Sequence, residues 1–146
     1  MNSRRLISSI GFPRTELSKL GRSQSHAKEF GNKLRAFGWW TLTREQIKNS
    51  RAQYWVLVLF GFATHTTEFV FIKPDVLLNR LNEIHGETDA KFQIYLWVTQ
   101  EDRCFETRGL SHEGRRLVAE GQFENKTRDF TEYLGSSWDP VRALND

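Results

Sequence analysis

The sequence predicts an α+β domain, a mixed or antiparallel sheet of about four strands with helices packed on it. Three observations lead there. The run Tyr54–Ile72 is apolar on both alternating sets in its first half: Tyr54, Val56, Val58, Phe60 and Phe62 on one, Trp55, Leu57 and Leu59 on the other. A strand apolar on both faces must be covered on both, which puts it in the middle of a sheet. The run Lys91–Thr99 instead alternates Phe92, Ile94, Leu96 and Val98 with Gln93, Tyr95, Trp97 and Thr99, the period of a strand. Two further segments carry helix punctuation, Pro74 and Gly86 bounding one, Ser111 and Gly121 the other.

The chain of 146 residues is the size of one domain, residues 1–146, and can bury a real core. Five Trp and eleven Phe imply a bulky core or exposed stacking surfaces, with the core as the simpler reading. The single Cys104 forms no internal disulfide and fits a reducing compartment. No apolar run approaches the roughly 18 residues that span a bilayer, so no membrane is expected. The N-terminus lacks the apolar core of a secretory signal, although its basic, Ser-containing, acid-poor composition is also that of transit peptides. The expected location is cytoplasmic. Charge is divided unevenly: residues 1–53 carry eleven Lys/Arg against three Glu, a net of +8, and residues 54–146 carry ten against fifteen Asp/Glu, a net of −5. That asymmetry suits a polyanion, an acidic partner protein, or pairing between the halves.

In chain order, residues 1–12 read as an arm or a short strand around Leu6–Ile10. Residues 13–53 form a basic helical part. Arg14 to Phe37 reads as one helix, or two with a break near Gly21–Ser25, on the loose helical spacing of Leu17, Leu20, Ala27, Phe30, Leu34 and Phe37. Phe37-Gly38-Trp39-Trp40 reads as an aromatic plug under the sheet, with a base-stacking platform as the alternative. Thr43 then caps a short helix ending near Ser50. Residues 54–146 hold the sheet. Tyr54–Ile72 makes two strands, joined by a short connection of Gly61 and small polar residues. A helix runs from Pro74 to about His85 with Val76, Leu77, Leu81 and Ile84 inward. The third strand is followed by a turn at Gln100–Arg103 and a fourth strand at Cys104–Thr107. A helix from Ser111 to about Glu120 and a tail packing Phe130, Tyr133 and Trp138 complete the order.

One motif match concerns catalysis. Pro74-Asp75 followed by Asp89-Ala90-Lys91 fits the P-D…(D/E)-x-K signature, in which two carboxylates converge on Mg²⁺ and a Lys lies near the attacking water. Asp75, at a helix start, is also explained by the helix dipole. The stretch from Phe37 to about residue 80, with its Trp pair, polar helix and two apolar strands, and the tail DFTEYLGSSWDPV resemble the part of restriction-endonuclease-like nucleases that follows the catalytic strand. That resemblance implies catalytic carboxylates upstream of Phe37, where the chain offers only Glu16 and Glu29 and no acidic-x-Lys strand. It implies a catalytically degenerate relative, which needs no cofactor; an active one would use Asp75, Asp89, Lys91 and Mg²⁺.

The other constellations are simpler. His26, His65, His85 and His112 have no metal-ligand spacing with Cys104 or one another, so no metal site is expected. Cys104 reads as a buried inert thiol, and Glu106-Thr107-Arg108 as a strand-end charge pair. For phosphate contacts the candidates are Arg14, Lys19, Arg22, Lys28, Lys33, Arg35, Arg44 and Lys48, weighed against a solvated helix face. The expectation is a DNA- or RNA-binding, nuclease-like protein leaning away from enzymatic activity. The alternative is a regulator or inhibitor module that binds an acidic protein or forms a homodimer.

Overall fold

Ten residues from Leu34 to Thr43 form the strand that joins the two halves of the sheet. In the computed structural model, which describes residues 10–11, 27, 29–61 and 67–135, the elements run as follows. They are β1 (Ile10–Gly11), β2 (Leu34–Thr43), α1 (Arg44–Lys48), β3 (Tyr54–Gly61), β4 (Thr67–Ile72) and α2 (Pro74–His85). After these come β5 (Lys91–Thr99), β6 (Cys104–Glu106), α3 (His112–Ala119) and a 3-10 turn at Thr131–Tyr133. The chain is α+β, with helices against one curled sheet. No described helix is long and apolar enough to cross a membrane.

Neighbouring strands run in the order β4, β3, β2, β5, β6, each pair antiparallel. The two residues of β1 add in parallel beside the start of β3, Ile10 opposite Tyr54 and Gly11 opposite Trp55. β2 and β5 are in register along nearly their whole length, from Leu34 opposite Thr99 to Thr43 opposite Lys91. β2 and β3, by contrast, pair only at Ala36–Gly61 and Phe37–Phe60 and then diverge.

The helix expected over Arg14–Phe37 therefore ends differently: Leu34 to Phe37 begin a strand, and the aromatic cluster lies within the sheet instead of under it. A β-bulge between Leu34 and Ala36 explains the misleading spacing. It shifts the alternation by one, so that Leu34 and Phe37 share a face at the i, i+3 spacing of a helix. Beyond the bulge, Ala36, Trp40 and Leu42 face one core and Phe37 faces the other. Gly38 is required here. A Cβ at that position would meet the Trp40 ring at 2.2 Å, so the bare backbone is the floor on which the buried indole lies.

The larger core lies between the sheet and α2, and includes Trp40, Trp55, Leu57, Leu77, Leu81, Phe92 and Ile94. The smaller lies on the opposite face, where Val118 and Ala119 of α3 cover Phe37, Trp97 and Phe105. Local signals fix the helices. Thr43 and Gln46 form a reciprocal capping box on α1, and Pro74 opens α2. Gly86, at φ +88°, closes α2 by donating its N–H to the Asn82 carbonyl. The Ser111 hydroxyl accepts from the Gly114 N–H at the start of α3. Arg80 of α2 ties down the segment after α3, donating to the carbonyls of Lys126, Thr127 and Asp129 at 2.7, 3.1 and 2.8 Å and pairing with Glu132. The expected helix before residue 27, the 62–66 connection with His65, and Trp138 lie outside the described residues.

Candidate functional site: a caged glutamate and the cleft beside it

β6 is short and pairs only with Leu96–Val98, so the first half of β5 has β2 on one side and no strand on the other among the described residues. The C-terminal end of α2 and the chain leaving β6 meet at this open stretch. Between them is a cleft of about 350 Å³. Its walls carry His85 from the last position of α2, Asp89 from the approach to β5, and Lys91 and Gln93 from β5 itself. Thr41 of β2 and Arg108 after β6 complete the polar lining.

Glu106 underlies the cleft and is fully buried. Alternation along β6 points it with Cys104 toward the α2 side of the sheet, a position where a carboxylate must find partners. It finds four. One oxygen, Oε1, lies 3.1 Å from His85 Nε2 and 3.0 Å from Arg128 Nη1. The other, Oε2, accepts from the backbone N–H of Tyr95 at 2.9 Å and of Arg108 at 3.1 Å. Two backbone amides and a guanidinium can only donate, so the cage is built for an acceptor-only carboxylate. In the neutral ring His85 then donates through Nε2, which leaves Nδ1 as the ring nitrogen with a lone pair. Arg128 also donates to the carbonyls of Glu106 and Arg108, fixing the chain that carries Arg108.

Arg108 itself reaches outward. Its guanidinium lies over the Tyr95 ring, 5.4 Å from the centroid, with Nη1 3.4 Å from the phenol oxygen. Thr41 contributes a buried hydroxyl oxygen with no hydrogen-bond partner among the described residues. The arrangement offers two cations, an acceptor nitrogen, a hydroxyl and an amide, with Asp89 as the one acid on the wall. Glu106-Thr107-Arg108 is thus more than a strand-end charge pair: the carboxylate is bound to the Arg108 backbone and to Arg128, while the Arg108 side chain is left for the cleft. Glu106 is legible in sequence only as a carboxylate at an inward position of a strand. His85 is legible only as the last residue before a Gly C-cap.

The candidates named from sequence are placed as follows. Asp89 and Lys91 come together on the cleft wall. Asp75 does not join them: it sits at the first turn of α2, its carboxylate accepting from the Val76 N–H at 2.9 Å. At about 1.5 Å rise per residue it is roughly 15 Å along the helix from His85. Among the described residues no three His, Cys, Asp or Glu side chains are grouped to hold a metal ion, so the converging carboxylates that Mg²⁺ needs do not fit this geometry.

Lys33 pairs with Glu120 at 3.3 Å, and Arg35 lies 2.6 Å from Glu68 and also pairs with Asp102. Arg44 is a clamp. It donates to the Asp89 and Gly86 carbonyls at 3.1 and 3.2 Å and to Asn82, and stacks over Phe92. It thereby fixes the loop that delivers Asp89 and Lys91 to the cleft. Lys48 is exposed at the end of α1. Arg14, Lys19, Arg22 and Lys28 lie outside the described residues. Cys104 is fully buried, and burial first, then Asp129, Glu106 and Glu68, pushes its thiol far up, away from reactive thiolate character. No protein-family model, no curated protein and no solved structure matches this chain.

Proposed function

We propose that this protein binds nucleic acid through its phosphates, and that the cleft beside Glu106 is a centre of that grip. The observation that carries the reading is that two cations, Lys91 and Arg108, line one cleft together with the neutral hydrogen-bonding groups Thr41 and Gln93. Donors of this kind fit phosphate oxygens. The sequence excess of positive charge in residues 1–53 supports a longer track for the backbone, although Lys33, Arg35 and Arg44 spend their charge on internal partners. Cleavage by paired carboxylates on Mg²⁺ is no part of the proposal, because Asp75 stands at the wrong end of α2.

The test is binding of labelled single- and double-stranded DNA and RNA across a salt series. Affinity should fall steeply with salt, and Lys91→Ala and Arg108→Ala should each weaken binding and reduce the salt slope by about one. Absence of binding at low salt would overturn the proposal. A second reading, a protein-binding or self-associating module, is favoured by the exposed Phe60 and Phe69 on the β3–β4 hairpin. Light scattering on the same samples would show a dimer if the module self-associates.

A further inference from the structure

We infer that the cleft reads ribose, so that the nucleic acid it selects is RNA; this rests on the nucleic-acid reading above. Lys91 and Arg108 are pure donors and suit a phosphate. His85 is the group that a phosphate does not satisfy. Its Nε2 is committed to Glu106 at 3.1 Å, and Glu106 is held as an acceptor by the Tyr95 and Arg108 amides and by Arg128. The ring cannot turn its N–H toward the cleft without setting a lone pair against that carboxylate. In the neutral ring Nδ1 is therefore an acceptor, which an anionic oxygen opposes and a hydroxyl donor completes.

A ligand suited to this wall carries an anionic group and a hydroxyl within one nucleotide of each other. RNA has that combination at every residue, a phosphate with the 2′-hydroxyl beside it, and DNA lacks the hydroxyl. The groups around His85 agree with this assignment. Thr41 brings a hydroxyl without a partner among the described residues, and Asp89 is a second acceptor for sugar hydroxyls that would repel a phosphate placed against it. The volume, about 350 Å³, is at the small end for ligand pockets, on the scale of a single nucleotide instead of a duplex.

The experiment measures fluorescence anisotropy of three labelled 12-mers of one sequence at pH 8 and one salt concentration: RNA, its deoxyuridine-containing DNA equivalent, and the 2′-O-methyl RNA. RNA should bind about five- to tenfold tighter than the DNA, the value of one well-made hydrogen bond. The 2′-O-methyl strand, which has lost its donor, should fall to the level of DNA. His85→Ala should shrink the RNA-to-DNA ratio toward one. The 2′-O-methyl arm uses the unaltered protein and stands even if His85→Ala fails to fold. Equal affinity for RNA and DNA would overturn the ribose inference and leave the nucleic-acid reading standing. A preference that survives 2′-O-methylation or His85→Ala would also overturn it. If none of the strands binds at low salt, both fall together.

Discussion

Replacing Glu106 with Gln removes the charge at the centre of the cage and leaves its shape almost untouched. A carboxylate offers two accepting oxygens, and a carboxamide offers one and turns the other position into a donor. Set with its N–H₂ toward the Tyr95 and Arg108 amides, the carboxamide leaves two donors facing a donor; set the other way it leaves only Arg128, because a neutral His85 can take the other tautomer and accept. Each lost bond to a buried charged group is worth about 1.5–3 kcal/mol, so the expected cost in the better setting is about 1.5–3 kcal/mol. Removing one member of a buried ion pair outright costs roughly 3–5 kcal/mol, and the isosteric change falls below that. Set against a total stability of about 5–15 kcal/mol, the variant should still fold but melt on the order of 10 °C lower. Guanidinium unfolding followed by tryptophan fluorescence, with a thermal melt by circular dichroism, reads both quantities. A loss below about 1 kcal/mol would refute the reasoning, since it would mean that the four bonds barely repay the burial of the charge.

Two further outcomes follow from the packing and the charges. Gly38→Ala drives a methyl into the Trp40 ring from 2.2 Å, and neither the strand nor the buried indole has room to yield, so stability should drop by about 1–3 kcal/mol or more in the same guanidinium titration. Burial pushes the Asp129 carboxyl up, but hydrogen bonds from the Thr131 hydroxyl and N–H and from Arg103 outweigh it, and its pKa is lowered on balance. A lowered folded-state pKa contributes stability that is complete above the unfolded value near 4 and is lost as pH falls through the folded value. Between about pH 4 and pH 2 Asp129→Asn should therefore lose less stability than the parent, and identical acid slopes would refute the assignment.

Much of the fold is legible locally. Pro74 and Gly86 bound α2, Thr43 and Ser111 cap their helices, and the alternation of Lys91–Thr99 matches β5. These signals survive because each is settled by neighbours a few residues away. β2 was not legible. Its bulge counterfeits helical spacing between Leu34 and Phe37, and what makes it a strand is β5, far along the chain. The Tyr54 strand lies inside the sheet as its two apolar faces require, with β4 on one side and the ends of β1 and β2 on the other. The cleft was legible only in Asp89 and Lys91, and there for metal chemistry whose third member lies at the far end of α2. Its other residues come from β2, α2 and the chain after β6, and nothing in their local sequence announces that they meet.

The long ladder between β2 and β5 also concentrates the chain's loop-closure cost in one place. The β3–β4 and β5–β6 hairpins join residues close in sequence, so closing them costs least. β2 must pair across about fifty to sixty-five intervening residues, a loop closure that is slow and that only α2 and β5 in place can reward. Its two pairs with β3 are too few to hold it alone. Without β5, Trp39 and Trp40 have no ladder to lock them in. The strand at the centre of the finished sheet thus carries the costliest closure in the fold, and the cleft, lined by Thr41 of β2 and by Lys91 and Gln93 of β5, exists only where that ladder has formed.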